Sequence, residues 1–268
     1  MEKRGEVAHF ATSRDGMQSR YRSALVTGAS SGIGRSLALA LARSGCVVVA
    51  CARREAELQA LAEKIRRDGG RCLVEVLDVA DTARTVELVR MLDSEHRFDL
   101  IVANAGVGAR TGAAPWTWEA IGDAIEINFA GAAATLTAAL PAMISRGRGH
   151  LVAVSSLASY GPLPASAAYC APKAGLDMLM ECLRIDLAGT GVAVTNVRAG
   201  FVRTRMVAET RHPMPGIMEP DEAAQRILEG LEQAPAEIVF PRWLAVMARA
   251  SGALPRPLRD VLLRVLTG

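Results

Sequence analysis

From Ser23 onward the chain alternates short, almost wholly apolar runs with longer stretches of helical spacing, and no other feature narrows its fold as far. SALVT (23–27), CVVVAC (46–51), CLVEVLDV (72–79), FDLIVANAG (98–106), GHLVAVSS (149–156), GVAVTNVRAG (191–200) and AEIVF (236–240) read as strands. Between them, RSLALALARSG reads as a helix closed by Gly45, EAELQALAEKIRRDGG as a helix with a glycine terminator, and DTARTVELVRMLDSEH as a helix capped by Asp81. Continuous apolar strands without Asn-Gly hairpin signals are buried on both faces, which calls for parallel pairing through crossover helices. The expected fold is α/β: one doubly wound sheet of about seven parallel strands, with helices on both faces.

Nothing in the composition divides residues 22–240, so they are expected to form a single domain. Residues 1–21 read as a flexible N-terminal arm and 241–268 as an amphipathic, Arg-rich helical extension. The first 23 residues carry charges throughout and lack an apolar core of the secretory kind, so no signal peptide is expected, and Met17 is a candidate alternative start. The net charge of +3 sits at the ends: residues 1–22 hold five basic and three acidic groups, and residues 242–268 hold five Arg and one Asp. No basic stripe remains to neutralise a run of phosphates, which argues against nucleic acid as a partner. Cys46, Cys51, Cys72, Cys170 and Cys182 lack metal spacing and read as reduced packing residues of a cytoplasmic protein; the four histidines form no ligand pattern, so no metal is expected. The uncharged stretch from Phe129 to Ser145 is rich in Ala, Gly and Thr and contains Pro141, so it reads as a helix buried in the protein rather than a membrane span.

The turn TGASSGIGR (27–35) follows the first strand and opens the first helix. Glycines in that position let the backbone approach a pyrophosphate at the positive end of the helix, although a purely structural tight turn is the alternative. The spacing Gly28-x-x-x-Gly32-x-Gly34 resembles that of the short-chain dehydrogenase/reductase family. Further motifs of that family follow in order: Asp78 in LDV, NAG at 104–106, Asn128 in NFAG, the Ser155/Ser156 pair and YCAPK at 169–173. The resemblance covers roughly residues 22–240 and implies a Rossmann-like fold. It also implies a dinucleotide site formed by Gly28, Ser30, Ser31, Gly32, Ile33, Gly34, Asp78, Val79, Asn104, Ala105, Gly106, Tyr169, Lys173, Val202 and Thr204. One departure is Ala199, which stands where the family has a proline before Gly200. After the second strand, ARRE places Arg53 and Arg54 near the expected adenosine ribose, where arginine suits a 2′-phosphate and a carboxylate suits a free hydroxyl. NADP(H) is therefore the expected cofactor, with NAD(H) possible; Arg53 ranks above Arg54, and a solvated helix start is the alternative for both.

Tyr169 and Lys173 lie four apart in a helical segment and share one face; Pro172 places them in its first turns. An ammonium beside a phenol favours the phenolate, so Tyr169 can exchange a proton near neutral pH. The resemblance implies that Ser156 orients the reacting oxygen, with Ser155 as competitor. It also implies that Asn128 holds a water connecting the lysine to solvent; a buried Asn bridging helix and strand is the alternative. The expected activity is carbonyl–alcohol interconversion on a small, apolar molecule of medium size. Leu157, Leu163, Phe201 and the Met- and Pro-containing stretch 203–220 are candidates for its wall. A non-catalytic NADP-binding sensor is the competing reading. The tail is expected to pack on the body or on another copy, with contact to a membrane surface the alternative, and the resemblance implies a homodimer or homotetramer.

Overall fold

The computed structural model describes residues 20–108, 117–208 and 214–267. Its strands are β1 (Ser23–Thr27), β2 (Val47–Ala52), β3 (Arg71–Val76), β4 (Leu100–Ala103), β5 (Gly149–Ser156), β6 (Val192–Ala199) and β7 (Glu237–Phe240). They form one sheet in the order β3-β2-β1-β4-β5-β6-β7, and every pairing is parallel. The fold is thus the Rossmann-like doubly wound sheet. Alternate residues of each central strand enter different cores. Val26, Val48, Val102 and Val152 pack with α1 (Gly32–Arg43), α2 (Glu55–Arg67) and α8 (Pro220–Leu231). Leu25, Val49, Ile101 and Leu151 pack with α3 (Thr82–His96), α5 (Ala132–Ala138) and α7 (Ala167–Asp186). Burial on both sides explains why these strands are apolar throughout rather than alternating. On the sheet edge, β3 is partly exposed and carries Arg71 and Glu75, charges that discourage further pairing.

The uncharged stretch is helical but not one regular helix. α4 (Trp118–Ile125) passes into a π-helical turn (Glu126–Gly131), then α5, and α6 (Leu140–Ser145) starts at Leu140 with Pro141 in its first turn. By length and composition Ile121–Ser145 could cross a membrane, yet 56% of its most apolar window lies inside the protein. At Gly131 a Cβ would lie 2.9 Å from the Val79 side chain, so the helix passes close to the loop after β3.

The N-terminal end meets the body slightly before the expected boundary, and the C-terminal extension is helical from Arg242. Tyr21 is 4% exposed and belongs to the core, so the arm expected over 1–21 joins the packed body one residue early; residues 1–19 lie outside the described residues. Within the extension, α9 (Arg242–Ala253) folds back on the body. Ala245 is buried, a Cβ at Gly252 would overlap the Tyr160 carbonyl oxygen, and Gly161 makes the facing close approach. α10 (Arg256–Thr267) follows it.

Tyr21 is held by a buried polar cluster. Thr195 Oγ1 donates to the Pro235 carbonyl at 2.5 Å, so His150 Nε2–H donates to Thr195 at 2.8 Å, and the Tyr21 hydroxyl lies 2.7 Å from His150 Nδ1 and 3.1 Å from the Leu231 carbonyl, the two acceptors for its one proton. Burial pushes the His150 pKa down to about 4, which favours the neutral ring in the folded state. Its contribution to stability is complete above the ordinary imidazole value of about 6.5 and is lost as pH falls from there toward 4. The loss expected over that window is on the order of 3 kcal/mol. Urea denaturation at pH 7 and pH 4.5 checks this: the drop in His150→Gln should be clearly smaller than in the unsubstituted chain.

Candidate active site

The sheet order reverses between β1 and β4, and their C-terminal ends part to leave a crevice. Thr27, the last residue of β1, spans it. Its Oγ1 accepts from the backbone N–H groups of Asn104 and Ala105 at 3.0 and 3.1 Å, and Asn104 Nδ2 donates to the Thr27 carbonyl at 2.9 Å. The glycine turn rests on this brace. Gly28 has φ +68° and a Cβ there would lie 2.8 Å from Ala105 Cα, while a Cβ at Gly34 would collide with Asn104 Nδ2 and the Gly28 carbonyl. Gly32, φ +56°, faces the Thr204 methyl, which a Cβ would meet at 2.7 Å. Bare backbone therefore lines the start of α1, as a pyrophosphate cradle requires. Ser30 is buried in the turn at 8% exposed, Ser31 is half-buried, and Ile33 packs inward against the core.

The two arginines behave differently. Arg54 Nη2 donates to the hydroxyls of Ser30 and Ser31, both at 2.8 Å, and so lies over the turn. Arg53 points to Asp78 at 3.7 Å. The sequence ranked Arg53 first; the geometry brings Arg54 to the turn. Asp78 also accepts from Ala80 N, and Val79 is buried beside Gly131.

Across the crevice, β5 ends at Ser156 and α7 delivers Tyr169 and Lys173. Ser155 is 3% exposed and donates to the Lys173 backbone carbonyl at 3.5 Å, so it faces the interior. Ser156 Oγ accepts from Ala158 N at 3.1 Å and hydrogen-bonds the Tyr169 phenol. Lys173 is 4% exposed; its Nζ donates to the Val154 carbonyl at 2.9 Å and lies 5.9 Å from the Tyr169 ring centroid. Burial raises the Tyr169 pKa while its hydrogen bond with Ser156 lowers it. Burial also brings the Lys173 pKa down to about 8, against the upward pull of Asp177. Asn128 lies in the π-helical turn, a local winding frequent at functional sites. Its Oδ1 accepts from Val107 N at 2.9 Å and its Nδ2 donates to the Val107 carbonyl at 3.0 Å, so the side chain bridges helix and loop. A Cβ at Gly106 would lie 2.8 Å from Asn128 Oδ1 and 3.7 Å from Lys173 Nζ, so Gly106 lets the loop approach both.

The remaining wall follows β6. Ala199 stays in the ladder opposite Ser156 and Phe240, with a backbone N–H that proline would lack. Val202 bridges Met218, and Thr204 to Val207 return over the glycine turn, where Met206 meets Gly108. Of the stretch expected to form a lid, 209–213 lie outside the described residues. Asp177 and Arg198, below Lys173, were missed in sequence. The available clue was Arg198 itself, a charge inside the otherwise uncharged and buried strand β6.

A family model for the short chain dehydrogenases matches residues 22–215. This chain belongs to that family. Among relatives of this short-chain dehydrogenase, an uncharacterized oxidoreductase of Myxococcus xanthus is 49% identical over 247 residues, 92% of this chain and 98% of that protein. A short-chain dehydrogenase from Sphingobium yanoikuyae, solved in complex with NADPH, matches with a TM-score of 0.76 at 28% identity, over 86% of this chain and 94% of that one. An alcohol dehydrogenase from the archaeon Thermococcus sibiricus, complexed with 5-hydroxy-NADP, matches with a TM-score of 0.73 at 27% identity, over 82% and 95%. The short-chain dehydrogenase described here is therefore an oxidoreductase that acts on a small molecule.

The brace at Thr27 can be tested directly. Thr27→Val strands two backbone N–H groups, and is expected to cost about 2 kcal/mol in urea denaturation.

Proposed function

We propose that this short-chain dehydrogenase is an NADP(H)-dependent enzyme that interconverts a ketone or aldehyde with an alcohol, with Tyr169 as general acid/base. The observation that carries the reading is the convergence of Tyr169, Ser156 and Lys173 across one crevice from a glycine turn whose backbone is left bare. The nicotinamide, when bound, gives or takes the hydride. The chain positions and moves the proton. Tyr169 protonates the carbonyl oxygen in reduction and withdraws the hydroxyl proton in oxidation, Ser156 holds that oxygen, and Lys173 favours the phenolate and reaches the ribose hydroxyls. Asn128 holds the Gly106–Val107 loop against Lys173.

Gly28, Ser30, Ser31, Gly32, Ile33 and Gly34 would hold the pyrophosphate, and Asn104, Ala105, Gly106, Asp78 and Val79 the adenosine half. Val202 and Thr204 would meet the carboxamide. Arg53 and Arg54 together would bind the 2′-phosphate, a reading supported by Arg54 lying over the turn and by a relative solved with NADPH. Leu157, Phe201 and the exposed Met206 support an apolar substrate of medium size. The reading includes a homodimer or homotetramer joined through the helix faces that expose Trp118, Met178 and Ile185, and a cytoplasmic location consistent with five free cysteines.

Assays of NADPH consumption against ketones, quinones and aldehydes test the reaction. Tyr169→Phe is expected to lower kcat by at least about 100-fold while NADPH affinity stays within about threefold. Reduction should fall, and alcohol oxidation rise, as pH climbs through the phenol titration; one shared pH optimum would count against Tyr169. In the Arg53→Ala/Arg54→Ala double variant, KM for NADPH should rise about tenfold or more with NADH unchanged. Equal losses with both cofactors would remove the phosphate assignment.

A further inference from the structure

One turn below Lys173 on α7 stands a second buried charge, Asp177, on the same face of the helix and 9% exposed. Both of its oxygens are committed to β6: Oδ1 accepts from Asn196 Nδ2 at 2.8 Å and Oδ2 from Arg198 Nε at 2.6 Å. Arg198 Nη1 continues to Glu237 on β7, and Glu237 takes Arg249 of α9 at 2.7 and 2.8 Å. The Tyr160 ring lies between the two guanidiniums, with centroid distances of 5.1 and 4.8 Å. Four charges therefore run from the helix of the catalytic pair to the C-terminal extension.

Stability alone is a poor reason for such a network, because removing a carboxylate and a guanidinium from water costs about as much as their attraction returns. Lys173 gives it a use. Among the described residues its ammonium has no carboxylate in direct contact; its acceptor is the neutral Val154 carbonyl. The loops and the π-helical turn around it contribute Asn128 and Gly106, which carry no charge. The charges facing this region from the packed elements are Asp177 on its own helix, Arg198 on β6, Glu237 on β7 and Arg249 on α9.

We propose that Asp177 is the positioning residue for Lys173, supplying from one turn away the fixed negative charge that keeps a buried ammonium protonated, with its strength set by the Arg198–Glu237–Arg249 chain. The proposal rests on the acid–base reading of Tyr169 and Lys173 for its catalytic meaning. Its sign is determined: burial favours the neutral amine and Asp177 favours the ammonium. Loss of the carboxylate charge lowers the Lys173 pKa, whereas loss of the Arg198 charge leaves the carboxylate less neutralised and raises it.

The full chain has three lysines, Lys3, Lys64 and Lys173, so labelling lysine with 13C at Cε gives three resonances. The Lys173 signal is the one absent from Lys173→Arg. Titrated without cofactor or substrate, it should show a midpoint near 8. Asp177→Asn should move the midpoint down by about one pH unit, and Arg198→Met should move it up. Arg198→Lys should return it toward the unsubstituted value, and Glu181→Gln, farther along the same helix, should leave it unchanged. An unchanged midpoint in a folded Asp177→Asn chain overturns the proposal, as do shifts of the same direction in Asp177→Asn and Arg198→Met. If Asp177→Asn does not fold, a folded Arg198→Met chain with no upward shift overturns it equally. If the two variants show the opposed shifts but the unsubstituted chain turns over no carbonyl or alcohol, the redox reading is removed and the charge coupling stands.

Discussion

The Thr27 hydroxyl ties together the ends of the two strands between which the sheet order reverses. Thr27 Oγ1 is 3.0–3.1 Å from two N–H groups at the end of β4, where the strands separate and no ladder partner is available to those groups. Buried donors of this kind are costly to leave unmet. Meeting them from β1 brings Asn104 close enough to bond the Thr27 carbonyl and leaves no room for side chains at Gly28 and Gly34. The bare turn is thus a consequence of how β1 and β4 are tied.

The opposite side of the crevice depends on charge held in a dry place. Lys173 is nearly inaccessible, and burial works against its ammonium. The Tyr169 phenol is raised by burial too. In the apolar surroundings both groups tend to neutrality, which makes their protonation states responsive to small changes of nearby charge. A proton-transfer pair profits from that responsiveness, since the most effective acid or base titrates near the working pH.

The sheet was legible because its strands are apolar on both faces, a pattern few other folds require. Strand ends were harder to read. FDLIVANAG suggested pairing through residue 106, yet β4 stops at Ala103 because Asn104 turns its amide back to β1. The winding change around Asn128 was not legible in the sequence, since the turn EINFAG shows neither a proline nor a change of hydrophobic period. Local sequence ranked Arg53 above Arg54, yet it is Arg54, at the start of α2, that bonds Ser30 and Ser31. The tie between Asp177 and Arg198 spans 21 residues and two elements; Arg198 stands out as a charge in an apolar strand, but its own segment does not say which carboxylate meets it.

The cleft has one fixed jaw and one compliant jaw. Behind Leu157 to Gly161, α9 presses through the Gly161–Gly252 approach and Arg249 stacks on Tyr160. The facing segment, Arg205–Val207, is held to α2 mainly at its rim, where Arg205 meets Glu57 at 3.5 Å with its side chain largely in water. Pressure from a bulky guest is relieved on the compliant side. On the acid–base reading proposed above, the jaw that carries Ser156 would keep its register with Tyr169 whatever fills the space, so the range of molecules admitted could widen or narrow through residues 205–208 without disturbing the atoms that move the proton.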